Sequence, residues 1–438
     1  MTLFMLSLPG LRAGDVEQMP KTRELVCSGS RATLYPSFPS VTWPVQANMI
    51  TGCTPDRHGV VGNGIYWRDR RQVEMWTMGN GVIEAEQIWD RLHAHHPPLR
   101  SAVWFPMLAK GASADYICMP APIHQPDGSE SMWCYTRPEA FYGELLDSFG
   151  HFPLQHFWGP LANIESSRWI ARTAAYTFDK FHPEFFYVYL PHLDYAAQKY
   201  GPSSPQAVQA LEELDGVIGE LSEAVAASSR SPVDWLIVGE YAITEVSNVV
   251  YPNRVLREAG LLQVVKDESG KEQIDWERSE VWALVDHQFA HLFVRDGDAR
   301  TARRAAELFH GTEGIEEILV GPERARYDVD HPRCGEVIMI SSDSSWQAYY
   351  WWLDDAAAPD FARTVDIHRK PGYDPVELFF DPATHSIPLD ATLVRGSHGA
   401  PVRNASQYSE IVCSRPGVLP EVDCRDTDVF RFIQTLLD

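Results

Sequence analysis

A few residues in this 438-residue chain could do chemistry together. Thr42 stands where a helix begins, in Thr42-Trp43-Pro44, and Gly52 stands where it stops. A hydroxyl there can cap its own helix or meet an anion drawn by the free N–H groups and the helix dipole. Asp194 and Glu240 each come just after an apolar run, in Leu190-Pro191-His192-Leu193-Asp194 and Val238-Gly239-Glu240-Tyr241. Ligands of open parallel sheets bind beyond the carboxyl ends of the strands, so both carboxylates belong at one rim, as acid–base groups or as caps of the next helix or turn. The stretch Asp286-His287-Gln288-Phe289-Ala290-His291 either turns His287 into a cleft or is a strand with its polar residues outward. Arg369, in the proline-bounded stretch 366–375, either meets an anionic substrate group or belongs to a solvated loop.

These groups need a scaffold, and four short apolar runs supply one, at residues 3–8, 102–107, 185–190 and 235–238. Each is nearly free of polar residues, as in strands buried on both faces, and each is flanked by turn residues or a helical segment, the βαβ pattern of a parallel sheet. The clearest helix covers 204–226, with Ser204 as N-cap and Pro205 in the first turn. Val208, Leu211, Leu214, Val217, Ile218 and Leu221 share one of its faces. Between 251 and 389 the pattern is mixed, with β-like pieces at 282–284, 290–294 and 336–340 and a helix at 301–310. The fold class is therefore α/β. The expected division is a core of 1–250 and 390–438, with 251–389 giving core strands plus an inserted α+β cap, and the chain rejoining the main sheet near Leu393.

The 37 Lys and Arg against 60 Asp and Glu give a formal charge of −23, whose field repels polyanions. Nucleic acid polymers and anionic membrane surfaces are thereby excluded as partners, which leaves a small-molecule substrate. Seven cysteines, an odd number without a Cys-x-x-Cys pair, fit a reduced, cytoplasmic compartment. The apolar run at 2–8 has no basic stretch before it and no clean cleavage site after it, so it reads as a first strand.

Thr42-Trp43-Pro44, Thr51-Gly52 and Pro55-Asp56-Arg57-His58-Gly59, closed by Asn63, resemble the nucleophile segment of the alkaline phosphatase superfamily. The similarity is to the type I phosphodiesterase/nucleotide pyrophosphatase branch, with phosphonoacetate hydrolase as a relative. Later landmarks keep the same order: Asp194 before Lys199-Tyr200-Gly201-Pro202, then Glu240-Tyr241, then Gly396-Ser397-His398-Gly399. The resemblance implies a three-layer αβα sandwich around a mostly parallel sheet. It also implies Thr42 as nucleophile, Asn63 holding a substrate oxygen, and a centre of two zinc ions.

The ligand set departs from that pattern. Asp194 and His398 match. Gln198 stands where a second histidine is expected, Pro9 where an aspartate should end the first strand, and Glu240-Tyr241 where an Asp-His pair should be. An amide oxygen is a poor zinc ligand, proline offers no donor, and a phenol with pKa near 10 ligates reluctantly. The expectation is thus one divalent ion, zinc held by Asp194, His398 and Glu240, or none. Catalysis would then fall to Thr42, Glu240 as base, Tyr241 as acid or oxyanion donor, and His398 as either, with Asn63, Asp194, Gln198, His287 and Arg369 touching substrate. Three functions stay open: a phosphodiesterase-like hydrolase working through Thr42, a metal-independent hydrolase, lyase or isomerase of a small polar metabolite, and a non-catalytic binding protein.

Overall fold

A computed structural model describes residues 2–124 and 130–438. In chain order, β1 (Thr2–Leu8), β2 (Ser30–Tyr35), β3 (Ser101–Trp104), β4 (Tyr116–Pro120), β5 (Cys134–Arg137), β6 (Phe185–Tyr189) and β7 (Val233–Gly239) belong to one sheet. Strands β8 (Val281–Asp286), β9 (Phe289–Val294), β10 (Ile315–Val320) and β11 (Val337–Ser341) form a second. Strands β12 (Ser409–Cys413) and β13 (Asp423–Arg425) return to the first, which runs β13-β2-β12-β7-β1-β6-β3-β4-β5. Its centre, β7-β1-β6-β3-β4, is parallel. Around β12, and between β4 and β5, the pairing is antiparallel.

Alternation along β1 builds the layers. Leu3 and Met5 join a core that holds Trp43, Val45 and Met49 of α1 (Thr42–Thr51) and Phe432 and Ile433 of a late helix (Val429–Leu437). Phe4, Leu6 and Leu8 face the opposite core, with Trp169 and Ile170 of α2 (Ile164–Phe181) and Leu211, Leu214 and Leu221 of a long helix (Pro205–Ser228). Both faces are covered, hence the nearly continuous apolar runs. Ser204 caps the long helix through the Ala207 amide, as its type and place require, but Val208 is 39% exposed rather than in the core.

Three boundaries differ from expectation. The run at 102–107 stops pairing at Trp104, because Phe105 adopts φ +67° and the chain turns away. The chain re-enters the main sheet at Ser409, later than Leu393. Among the described residues, no strand of 251–389 joins the nine-stranded sheet. The fully buried β8 and β9 resemble central strands in composition, but they form an antiparallel hairpin covered on both faces. The four-stranded β8-β9-β11-β10 sheet has its own core, with Trp282, Phe293, Tyr349 and Trp352.

Candidate active site

The carboxyl ends of β1, β6 and β7 meet the start of α1 and the β8–β9 turn. Thr42 is the first helical residue of α1, and the N-cap position falls to Val41, whose side chain cannot cap. The cap comes from elsewhere: Asn63 Oδ1 accepts the Trp43 N–H at 3.0 Å. The Thr42 hydroxyl is left for other work and lies 3.0 Å from the Tyr241 phenol. Tyr241 in turn donates to Asp194 Oδ1 at 3.5 Å, a long contact. Asp194 sits in the first turn of α3 (His192–Tyr200), and one turn on, Gln198 Nε2 donates to its Oδ2 at 2.7 Å.

Histidines and aromatic rings close the group. His398 stacks on Tyr241 at 3.6 Å between centroids, and its Nδ1 lies 2.8 Å from Ser40 O. A carbonyl oxygen only accepts, so Nδ1 is the protonated nitrogen. The other nitrogen, Nε2, has no hydrogen-bond partner among the described residues and lies 3.9 Å from Asp194 Oδ1. His287 occupies the two-residue turn between β8 and β9 at φ +60°, not a strand position, and is directed inward. Its ring stacks on Tyr373 at 3.5 Å and lies 3.9 Å from His398, while Nδ1 meets Asp286 Oδ1 at 2.6 Å. Asp286 also accepts from the Asn63 backbone and side-chain amides, so both ends of the Asn63 side chain are engaged within the protein.

Two of the expected site residues lie elsewhere. Glu240 is fully buried and turned toward Ser7 and Gln46, which donate to its Oε1 at 2.5 and 2.7 Å; it hydrogen-bonds neither Thr42 nor Tyr241. Arg369 is exposed and paired with Asp366, its guanidinium 5.8 Å from the Phe361 ring. Asp286 and Tyr373 join the site without having been expected there, while Gln46 and Ser7 form the separate pocket that holds Glu240. Asp286 precedes His287 directly and was the available signal for one of them; Tyr373 lies close to Arg369 in sequence, beside basic residues that are the more obvious candidates.

Burial dominates the electrostatics. It raises the Asp194 carboxyl to about 7, with Gln198 and Tyr241 opposing, and Glu240 to about 8, with Ser7 and Gln46 opposing. Burial likewise raises Asp286 to about 6 and drives His287 and His398 well below the ordinary imidazole value. No Arg or Lys side chain among the described residues hydrogen-bonds to this cluster, and no three His, Cys, Asp or Glu side chains are grouped to hold a metal ion. Ser40, Tyr241, Gln288 and His398 line a crevice too narrow to hold a water molecule.

The raised carboxyls give stability a pH slope of definite sign. An unfolded Glu or Asp titrates near 4, so between that value and the folded one unfolding releases a proton, and stability falls as pH rises. An unfolded histidine is still half protonated at pH 6.5, so the buried histidines, whose pKa values are lowered in the fold, oppose this in part up to about pH 7.5. Asp194 continues to contribute up to about 7 and Glu240 up to about 8. These two carboxyls by themselves remove about 2–3 kcal/mol between pH 6.5 and 8, and the histidines offset part of it. In urea unfolding across that range Glu240→Gln should lose about 1.5 kcal/mol less stability than the wild type, a difference in which the histidines cancel; an unchanged slope would mean Glu240 is already ionised in the folded protein.

The profile of the type I phosphodiesterase / nucleotide pyrophosphatase family matches residues 3–374, and the chain belongs to that family. An uncharacterised pyrophosphatase/phosphodiesterase of Schizosaccharomyces pombe is 26% identical over 231 residues, 51% of this chain and 41% of that protein. A venom phosphodiesterase of Crotalus durissus collilineatus is 22% identical over 253 residues, 56% of this chain and 26% of its own length. The matches thus span less than half of these relatives. Phosphonoacetate hydrolase from Sinorhizobium meliloti, solved with phosphonoformate, superposes with a TM-score of 0.64 at 17% identity, over 100% of this chain and 96% of the other. Human ectonucleotide pyrophosphatase/phosphodiesterase 5 gives 0.63 at 13% identity, over 100% and 95%. The alkaline-phosphatase-like fold expected from the motifs is the fold observed. No helix of the described residues is long and apolar enough to cross a membrane.

Proposed function

We propose that this protein is a hydrolase of the phosphodiesterase/nucleotide pyrophosphatase type in which Thr42 is the nucleophile and a hydrogen-bonded relay does the work of the family's two-zinc centre. The observation that carries the reading is the 3.0 Å contact between the Thr42 hydroxyl and Tyr241, itself directed at Asp194. The donors present do not suit two zinc ions: Pro9 and Gln198 replace ligands, and Asp194 and His398 supply two of the four contacts a zinc takes. As Thr42 attacks the ester, its proton passes to the Tyr241 oxygen while the Tyr241 proton passes to Asp194 Oδ1. An Asp194 carboxyl near 7 suits a base at neutral pH. The leaving oxygen departs on the side of phosphorus opposite Thr42, and when water then cleaves the Thr42 ester the held proton returns by this route to the Thr42 oxygen.

A cluster without a cation, beside buried carboxyls, favours an ester with at most one negative charge. The seven free thiols support a reducing, cytoplasmic setting for such a small-molecule substrate. Turnover of bis(4-nitrophenyl) phosphate should therefore exceed that of dianionic 4-nitrophenyl phosphate and persist in EDTA. Collapse of activity in EDTA with recovery on adding zinc would defeat the relay. The loss of metal-ligating donors at Pro9 and Gln198 favours a second reading, a non-catalytic binding protein on the same fold. No turnover by the intact chain of any ester tested, with ligand binding unchanged in Thr42→Ala, would select it.

A further inference from the structure

The relay requires Asp194 to offer Oδ1 to Tyr241 while Oδ2 is held. Gln198 holds Oδ2 at 2.7 Å, and it can present its amino end there only if its carbonyl end is satisfied on the other side. That partner is Tyr373, whose phenol donates to Gln198 Oε1 at 2.7 Å from 175 positions along the chain. We infer that Tyr373 is a positioning residue: by orienting the Gln198 amide it fixes the Asp194 carboxyl with Oδ1 toward Tyr241. This rests on the reading of Thr42 as nucleophile and deepens it.

The segment is built to place that phenol. Gly372 has φ +155°, and a Cβ there would lie 2.8 Å from Tyr349 Cβ and 2.9 Å from Val285 Cγ2, so only glycine lets the chain pass so close to β8. The Tyr373 N–H donates to Val285 O at 3.1 Å, and the residue is only 5% exposed, its ring against His287. On either side, buried Lys370 binds Asp374 at 2.8 Å and Glu377 at 2.6 Å, while Trp158 donates to Glu377 at 2.6 Å. A ring needed only to fill space would not require its hydroxyl aimed at the one amide that touches Asp194.

Tyr373→Phe keeps the ring and removes the hydroxyl, and Gln198→Met removes the amide. With bis(4-nitrophenyl) phosphate, Tyr373→Phe should lower kcat roughly 10- to 100-fold with KM nearly unchanged, since a slightly misplaced base costs about that much. The double variant should be no slower than Gln198→Met alone. Additive losses, or an unchanged kcat in Tyr373→Phe, would overturn the inference. A second readout is independent of turnover. In protein labelled with ¹⁵N-glutamine, the side-chain signal absent from Gln198→Met should move in Tyr373→Phe, and an unmoved signal overturns the assignment. Should Thr42→Ala keep full activity, the nucleophile reading fails, whereas the labelled-amide result still decides whether Tyr373 orients Gln198.

Discussion

Thr42→Ala is expected to lower kcat/KM by at least about 10³-fold, since a covalent mechanism loses its attacking atom and keeps only the binding surface. Thr42→Ser should retain most of the activity, because the serine hydroxyl can reach Tyr241 from the same helical position. Stability should change far less than rate. The methyl and hydroxyl lost are worth about 1–2 kcal/mol, and Tyr241 keeps Asp194 as a partner. The decisive measurement is intact mass after a rapid quench: a mono(4-nitrophenyl) phosphate or phosphoryl adduct on the wild type, absent from Thr42→Ala. Turnover in Thr42→Ala within a few fold of the wild type would remove Thr42 from the chemistry altogether.

Lys370→Met should have the largest effect on stability, about 3–5 kcal/mol, the usual cost of stripping a buried pair of one partner. Lys370 is 1% exposed. Burial alone would pull its pKa down, but Asp374 and Glu377 more than offset that and keep it above the ordinary lysine value. Without the ammonium, two carboxyls would stay buried with only Trp158, the Asp366 backbone and the turn amide of Val376 to satisfy them. The Lys370→Met/Asp374→Asn/Glu377→Gln variant should recover a large part of the loss, because uncompensated charge rather than missing packing is the cause. Denaturant midpoints separate the two accounts: a triple variant as unstable as Lys370→Met would assign the damage to packing.

The sequence was most informative where a residue's type and its immediate neighbours decide the outcome. The uniform apolar runs of β1, β6 and β7 could be read directly, as could Ser204 with Pro205 and the Gly52 stop of α1, whose φ is +66°. Family motifs then brought Thr42, Asp194, Gln198, Tyr241 and His398 to one place, and the fold puts them in hydrogen-bonding or stacking contact. What remained hidden depends on contacts between distant segments. Nothing near Thr42 shows that Asn63 would cap its helix, so capping by the hydroxyl itself stayed an open alternative until the fold placed Asn63. The alternation of 286–291 suggested a strand, but a two-residue turn needs no Gly or Pro to mark it when a non-glycine residue accepts positive φ, and His287 lies in such a turn. Glu240 follows a strand as a rim carboxylate should, yet Ser7 and Gln46 pull it back between the sheet and α1.

The two ends of the nine-stranded sheet carry a consequence for behaviour at high concentration. An unpaired strand edge is a template for another chain, and long flat apolar edges invite fibrillar assembly. One border here is the three-residue Asp423-Cys424-Arg425, which puts opposite charges on either side of its single buried residue. The other is Cys134–Arg137, which ends in a cation and runs straight into Pro138, a residue with no N–H to offer an incoming strand. The long apolar strands that carry the site are kept to the middle, so a sheet this rich in aggregation-prone sequence ends at each side on a short strand that carries charge.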